Sequence, residues 1–101
     1  MSEKRDIKTI IDQEVEIVEP SLYHVILLND DYTTMEFVVS VITDVFHLQA
    51  AQASRVMMEV HTKGRGVAGT YTKDIAQTKA EIVMRMAFKR NFPLKCILEE
   101  V

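Results

Sequence analysis

Three consecutive residues with side-chain oxygen acceptors, Asn29, Asp30 and Asp31, directly follow the apolar run of residues 23–28. Thr33 and Glu36 then have the S/T-x-x-E spacing of a capping box, which predicts the start of a helix with Thr33 as its N-cap. A turn between a strand and a helix holds its acceptors in fixed directions at the edge of the core. This arrangement suits the binding of something small and cationic, and it is equally typical of a plain strand-to-helix connection.

A histidine at the end of a second helical pattern is the next candidate. His61 follows Met57 by four residues and Val60 by one, so the three side chains lie on nearby parts of one helical surface. A neutral imidazole nitrogen accepts a hydrogen bond from an ammonium group, and apolar neighbours would form a pocket wall beside it. The alternative is a histidine that only stabilises the helix dipole at the C-terminal end.

No enzyme motif accompanies these residues. The sequence has no G-x-S-x-G, no phosphate-binding loop, no G-x-G-x-x-G and no H-E-x-x-H. The spacing of its histidines and aspartates matches no metal signature. Cys96 lies in an alternating apolar segment, where the expected role is that of a small buried hydrophobic residue. We therefore expect a protein that is not an enzyme and that uses no metal or other cofactor.

Length and composition are those of one globular domain. The chain has 101 residues, of which 48% are hydrophobic and 27% are charged, so it can bury a modest core. A formal net charge of −3 argues against a nucleic-acid partner. No apolar run approaches the roughly 20 residues that span a bilayer, and residues 1–9 have no signal-peptide pattern. With a single cysteine, these features predict a soluble cytoplasmic protein.

The chain divides into two parts. Residues 1–20 are predicted to be a flexible N-terminal extension, and residues 21–101 to be the folded core domain. Periodicity predicts strands over residues 23–28, 67–71 and 94–99, and helices over about 34–46, 48–62 and 73–90. The third helix is expected to bury Ile75, Ile82, Val83 and Met86. The order β-α-α-β-α-β indicates an α+β fold, with a small three-stranded, mostly antiparallel sheet and three helices on one face.

These residues resemble the ClpS adaptor family over about residues 22–99. The opening of the folded part reads Tyr23-x-Val25-x-Leu27-x-Asn29-Asp30-Asp31-Tyr32-Thr33, followed by Met35-Glu36-Phe37-Val38. Further along, the shared residues are Met57, Val60-His61, Gly64, Gly69, Thr78-Lys79 and Pro93-Leu94. The Asn-Asp-Asp turn combined with the later Val-His pair is specific, whereas either part alone would be a weak signal.

The resemblance implies an adaptor that binds proteins with an N-terminal Phe, Tyr, Trp or Leu and delivers them to the ClpA unfoldase of the ClpAP protease, in the bacterial N-end rule pathway. The implied ligands of the α-amino group are Asn29, Asp30 and His61. The implied apolar pocket is lined by Thr33, Met35, Val38, Met57, Val60 and Leu94. Met35 is also implied to crowd the Cβ region and so to disfavour N-terminal Ile and Val. Asp31 is expected to support the loop by bonding nearby backbone N–H groups.

The resemblance also implies partners. Tyr71, Asp74 and Lys79 would dock onto the N-terminal domain of the unfoldase, and the extension of residues 1–20 would engage the unfoldase during delivery. The adaptor would act as a monomer, without nucleic acid or membrane. Two other hypotheses remain open: a structural docking domain resembling the C-terminal domain of a ribosomal stalk protein, and a small hydrolase using Asp30 and His61, for which the sequence offers no credible nucleophile.

Overall fold

A computed structural model describes residues 19–101 of the chain. The elements follow in the order β1 (Leu22–Leu28), α1 (Met35–Phe46), α2 (Ala50–Lys63), β2 (Arg65–Thr72), α3 (Lys73–Lys89) and β3 (Lys95–Glu100). Both strand pairs are antiparallel, and β1 lies in the centre of the sheet in the order β2-β1-β3. The predicted α+β class and the β-α-α-β-α-β order are confirmed. The predicted extension of residues 1–20 lies almost entirely outside the described residues.

The central strand β1 is buried on both faces in its middle. Val25, Ile26 and Leu27 are fully buried, and since successive side chains of a strand point to opposite faces, Val25 and Leu27 belong to the core beneath the helices. Ile26 points to the opposite face, between Val67 of β2 and Ile97 of β3. The sheet therefore has one face covered by the helices and a second face on which Ile26 is buried between its neighbours on β2 and β3.

The first helix begins one residue later than the sequence suggested. Thr34, not Thr33, is the N-cap of α1: its backbone is extended and its hydroxyl oxygen accepts the Phe37 N–H at 3.2 Å. The predicted capping box between Thr33 and Glu36 is therefore wrong, because the Thr33 hydroxyl is already committed as a donor to the Asp30 carboxylate. Thr33 thus belongs to the turn, and the turn and the cap are consecutive structures.

The third helix buries a different face from the predicted one. Its buried residues are Ala76, Ala80, Val83 and Ala87, spaced by four, three and four residues as expected for one helical face. Ile75 and Ile82 are 49% and 38% exposed, so only Val83 of the predicted set is fully in the core. Small alanine side chains let the helix axis approach the sheet closely, and this close approach decides which face is buried.

Candidate functional site

The turn after β1 is held at both of its ends. The Asn29 N–H donates to the Gly64 carbonyl at 3.0 Å, which ties the start of the turn to the end of α2. At the other end, the Asp30 carboxylate accepts the Tyr32 N–H at 2.8 Å, the Thr33 N–H at 2.6 Å and the Thr33 hydroxyl at 2.7 Å. This is an Asx-type turn, in which the aspartate side chain fixes the backbone that follows it.

The electrostatics of Asp30 agree with this structural role. Burial by itself would raise the pKa of the Asp30 carboxyl, but the hydrogen bonds from the Thr33 hydroxyl, the Thr33 N–H and the Tyr32 N–H outweigh it and hold that pKa below its ordinary value. The carboxylate is therefore ionised at neutral pH, with its charge directed at the turn. Asp30 lines the neighbouring cavity, but its main contacts are made inside the loop.

A cavity of about 260 Å³ lies between this turn, the start of α1 and the end of α2. The residues that line it are Asn29, Asp30, Asp31, Thr33, Met35, Val38, Met57, Val60 and His61. Asn29 and His61, which are separated by 32 positions of sequence (61 − 29), thus share one cavity. The volume is below the range of about 300–1,000 Å³ typical of drug-sized ligand sites, so the cavity has room for about one large side chain.

The two parts of the cavity differ in chemistry. Its apolar part is made by Val38 and Val60, which are buried, and by Met57, which is half-buried, with Met35 at the opening and 40% exposed. Its polar edge is made by the exposed side chains of Asn29, Asp31 and His61. Within residues 19–101 these three side chains make no hydrogen bond. They are therefore available to a ligand.

The two aspartates of the turn differ in their hydrogen bonds. Asp30 makes the hydrogen bonds to backbone N–H groups that were expected of Asp31. Asp31 is exposed and lines the cavity without a bond to the turn. Within residues 19–101 the loop-supporting hydrogen bonds expected of Asp31 are therefore made by Asp30, because the N–H groups lie two and three residues after Asp30. Asp30 also lines the cavity, so its predicted contact with an α-amino group stays a prediction.

Leu94 is the one predicted pocket residue that does not line the cavity in this structure, so its contact with a ligand stays a prediction. It is only 4% exposed and belongs to the core cluster, and it is not among the residues that line the cavity. Leu94 immediately precedes β3, where its side chain is packed into the interior. The other five predicted pocket residues do line the cavity.

A glycine that the sequence analysis did not single out sets the position of the α2 wall. A Cβ at Gly66 would lie 2.8 Å from Cγ2 of Val60 and 3.0 Å from the Val56 carbonyl oxygen. Helix α2 therefore packs directly on the backbone of β2, and Val60 and His61 are placed by this contact. The signal in the sequence was Gly64-Arg65-Gly66, where the second glycine exceeds what a helix stop requires.

The residues implied in docking form a cluster away from the cavity. The Lys79 ammonium donates to the Val45 carbonyl at 2.7 Å and lies 5.2 Å from the centroid of the Tyr71 ring. Burial raises the pKa of the Tyr71 phenol, and the ring lies across Gly69, where a Cβ would come within 2.6 Å of Cε2 of Tyr71. Asp74 is exposed in the first turn of α3. Lys79 thus binds α1 to α3, and Asp74 is the accessible charge of the set.

Residues 19–101 contain neither a metal-binding cluster nor a membrane-spanning helix. No group of three or more His, Cys, Asp or Glu side chains in this part of the chain is arranged to hold a metal ion. None of the helices α1, α2 and α3 is long and apolar enough to cross a membrane.

Buried Cys96 donates its S–H to the Ala80 carbonyl at 3.4 Å, and burial raises its pKa to about 11, so it is an inert core residue as expected.

Comparison with known proteins gives a consistent result. The family model described as ATP-dependent Clp protease adaptor protein ClpS matches residues 18–97. The ATP-dependent Clp protease adapter protein ClpS of Acetivibrio thermocellus is 53% identical over 94 residues, which cover 91% of this chain and 95% of the relative. The protein of the same name from Neisseria meningitidis serogroup A is 60% identical over 82 residues, covering 81% of this chain and 80% of the relative.

A solved structure supports the same grouping. Agrobacterium tumefaciens ClpS2 bound to L-phenylalaninamide has a TM-score of 0.79 and 41% sequence identity, and the match covers 82% of this chain and 100% of that chain. The relatives are named as adaptors and not as enzymes. With most of its length matched by the family model and by relatives of more than 50% identity, this chain belongs to the ClpS family of adaptor proteins of the ATP-dependent Clp protease.

Proposed function

We propose that this chain is a cytoplasmic adaptor that recognises the N-terminal Phe, Tyr, Trp or Leu of N-end rule substrates and delivers them to the ClpA unfoldase of the ClpAP protease. The observation that carries the proposal is the cavity in which an apolar slot adjoins three open polar side chains, Asn29, Asp31 and His61. The related ClpS2 was solved with L-phenylalaninamide, a molecule that combines a free α-amino group with a phenyl side chain.

The polar edge suits a protonated α-amino group. This group has a pKa of about 8 and is mostly charged at pH 7, so it presents three N–H donors and one positive charge. The Asn29 side-chain carbonyl and a neutral His61 nitrogen supply acceptors. The carboxylates of Asp30 and Asp31, which both line the cavity, supply the countercharge. An internal or acetylated amide offers one donor and no charge, and each buried acceptor left unpaired costs about 1–3 kcal/mol.

The apolar slot suits one large side chain without branching at Cβ. Burial of a Phe or Leu side chain against Val38, Met57 and Val60 contributes roughly 1.5–3 kcal/mol. Met35 stands at the opening, where it would collide with a second substituent on the Cβ of Ile or Val. Selectivity for bulky unbranched residues then follows from shape, and selectivity for a chain terminus from charge.

Delivery requires a second surface. The proposed contact with the N-terminal domain of the unfoldase is the Asp74 carboxylate, which is exposed in the first turn of α3. Lys79 of the same helix contacts the Tyr71 ring and the Val45 carbonyl. The extension of residues 1–20 is proposed to act in delivery. The adaptor works as a monomer, without catalysis and without a cofactor: cleavage belongs to the protease.

Fluorescence anisotropy with three labelled peptides tests the proposal. The peptides share one sequence and begin with Phe, N-acetyl-Phe or Ile. We expect the Phe peptide to bind and the other two to bind at least about tenfold more weakly, which corresponds to about 1.4 kcal/mol. Acetylation removes the charge and two of the three donors, and the branched Cβ of Ile collides with Met35. Equal affinity for all three would contradict the proposal and would fit the structural docking domain, which has no reason to sense a free amine.

A further inference from the structure

The outer edge of strand β3 is free within the part of the chain that the structure describes. β3 lies at one end of the three-stranded sheet and pairs with β1. The Val101 N–H, just after β3, donates to the Leu22 carbonyl on β1 at 2.9 Å. Since the backbone groups of successive residues alternate in direction along a strand, Cys96 and Leu98 direct their N–H and C=O groups away from β1. Such an edge can accept a further strand.

The other edge of the sheet is less suited to pairing. β2 contains Gly66 and Gly69, and its register with β1 shifts between Val25 and Ile26. An irregularity of this kind bends a strand and interrupts its ladder of hydrogen bonds. The pairing of β3 with β1 runs without a shift from Lys95 to Glu100. The regular edge of β3 is therefore the one along which a partner strand can lie.

An apolar row crosses the second face of the sheet and ends at this edge. Ile26 on β1 has Val67 on β2 and Ile97 on β3 as its cross-strand neighbours. Ile26 is fully buried, whereas Val67 and Ile97 are each 39% exposed. Ile97 is thus the apolar side chain at the edge, and a partner strand with an apolar residue beside it would extend the row.

Two opposite charges flank Ile97 on the same face. Lys95 lies two positions before Ile97 and Glu99 two positions after it, so the three side chains point to one face, and both charged side chains are exposed. The Glu99 carboxylate accepts the Arg65 guanidinium through Oε2 at 2.9 Å, which leaves Oε1 for a second cation. The edge of β3 is therefore complementary in charge to itself when a second copy runs in the opposite direction.

We propose that β3 pairs with β3 of a second copy of this chain, antiparallel and with the two Ile97 residues opposite each other at the twofold axis. In this register Lys95 of each copy faces Glu99 of the other, so two ion pairs form. The two Ile97 side chains meet in a non-hydrogen-bonded pair, in which Cα atoms are about 4.5 Å apart and side chains lie closest.

The backbone of the edge fits the same register. Cys96 of each copy faces Leu98 of the other, and these are residues whose N–H and C=O groups point outward, so each pair exchanges both of its hydrogen bonds. A register centred on Leu98 would place Ile97 opposite Glu99 and Lys95 opposite Val101. The match of opposite charges therefore selects the register centred on Ile97.

The pair forms one six-stranded sheet, in which the apolar row continues from Val67 of one copy to Val67 of the other. The residues that line the cavity beside Asn29 and His61 all precede β3 in the chain. Each copy therefore keeps its own cavity, and the single chain remains the unit that binds a peptide. Because one strand edge is a small contact, and interfaces below about 1,200 Å² are typical of transient complexes, we expect a reversible dimer at about 0.1–1 mM protein.

Sedimentation velocity between about 10 µM and about 1 mM protein tests the proposal. The mass of the wild type should rise from one chain towards two. Lys95→Glu and Glu99→Lys each place like charges opposite each other twice. Since an exposed ion pair contributes about 1.4- to fivefold in affinity, each variant alone should dimerise about two- to thirtyfold more weakly. An equimolar mixture of the two variants should regain the dimer, because one chain then has two acidic side chains at these positions and the other has two basic ones.

A matched control separates this contact from an effect of net charge. Arg85→Glu makes the charge change of Lys95→Glu on an exposed face of α3 and should dimerise like the wild type. Circular dichroism verifies that all variants are folded. A wild type that keeps the mass of one chain up to about 1 mM, a mixture that associates no better than the separate variants, or an equal loss of dimer in Arg85→Glu would overturn the inference.

Discussion

The two neighbouring aspartates of the turn should separate stability from binding when each is replaced by alanine. Asp30→Ala removes the acceptor of three hydrogen bonds, at 2.6–2.8 Å, from the Tyr32 and Thr33 backbone and the Thr33 hydroxyl. Loss of a side-chain acceptor at a comparable capping position costs about 0.5–2 kcal/mol. For a domain of this size that corresponds to a melting temperature lowered by roughly 2–16 °C. Asp31 makes no such bond, so Asp31→Ala should leave the melting temperature within about 2 °C of the wild type.

Asp31→Ala should instead affect peptide binding, because the Asp31 carboxylate lies at the polar edge of the cavity. Two unit charges about 4 Å apart interact by about 1 kcal/mol in water and by about 4 kcal/mol at an effective dielectric constant of 20. The lower value applies to an exposed carboxylate, so Asp31→Ala should lower the affinity for a Phe peptide by about fivefold or more. Asp31→Asn, which keeps the size of the side chain, should show nearly the same loss because it is the charge that is removed.

Differential scanning fluorimetry and fluorescence anisotropy on the same protein preparations give both quantities. We expect Asp30→Ala to lower the melting temperature. We expect Asp31→Ala to lower the affinity for the peptide and to leave the melting temperature unchanged. If Asp31→Ala melted as early as Asp30→Ala, or if the peptide affinity of Asp31→Asn matched the wild type, then the division of roles between the two carboxylates would be refuted.

Three further outcomes follow from the structure. The pKa of Asp30 is lower in the folded protein than its ordinary value. Its contribution to stability is therefore present above the ordinary pKa of about 3.9 and is lost as the pH falls through the folded pKa. In urea titrations below about pH 4, Asp30→Asn should lose less stability with falling pH than the wild type. Lys79→Met removes the donor of the Val45 carbonyl and should cost about 1–3 kcal/mol in urea unfolding, with no change in peptide affinity. Gly69→Ala places a methyl group against the Tyr71 ring and should cost about 1–3 kcal/mol. The same substitution should cost much less in a Tyr71→Ala background, where the ring is absent.

The order of helices and strands could be predicted from the sequence because its local signals agree with one another. The apolar run before Asn29, the glycines after α2 and Pro93 before β3 mark element ends within one or two residues. The errors arise where two readings differ by one position. Thr33 and Thr34 both suit an N-cap, and only the competing bond from Thr33 to Asp30 decides between them.

Burial of α3 was harder to predict for a similar reason. Hydrophobicity alone favours Ile75 and Ile82 as core residues, but the contact with the sheet selects Ala76 and Ala80. Close packing rewards small side chains where backbones approach, and the distance of approach is a property of the whole fold rather than of the helix sequence.

The candidate site was predictable in its members and less so in their roles. That Asn29 and His61 share a cavity was expected from the family resemblance, since nothing local brings residues 29 and 61 together. The assignment of Asp30 and Asp31 depended on the turn geometry, and the position of Leu94 depended on packing before β3.

We propose that Asn29, His61 and the carboxylates beside them in the cavity together sense a free α-amino group. Heteronuclear NMR tests it by following the Asn29 side-chain amide and the His61 imidazole during titration with L-phenylalaninamide and with its N-acetylated twin. We expect the chemical shifts of both signals to change saturably with the free amine and to stay unchanged with the acetylated compound. Shifts of equal size with the two compounds, or shifts confined to residues outside the cavity, would contradict it.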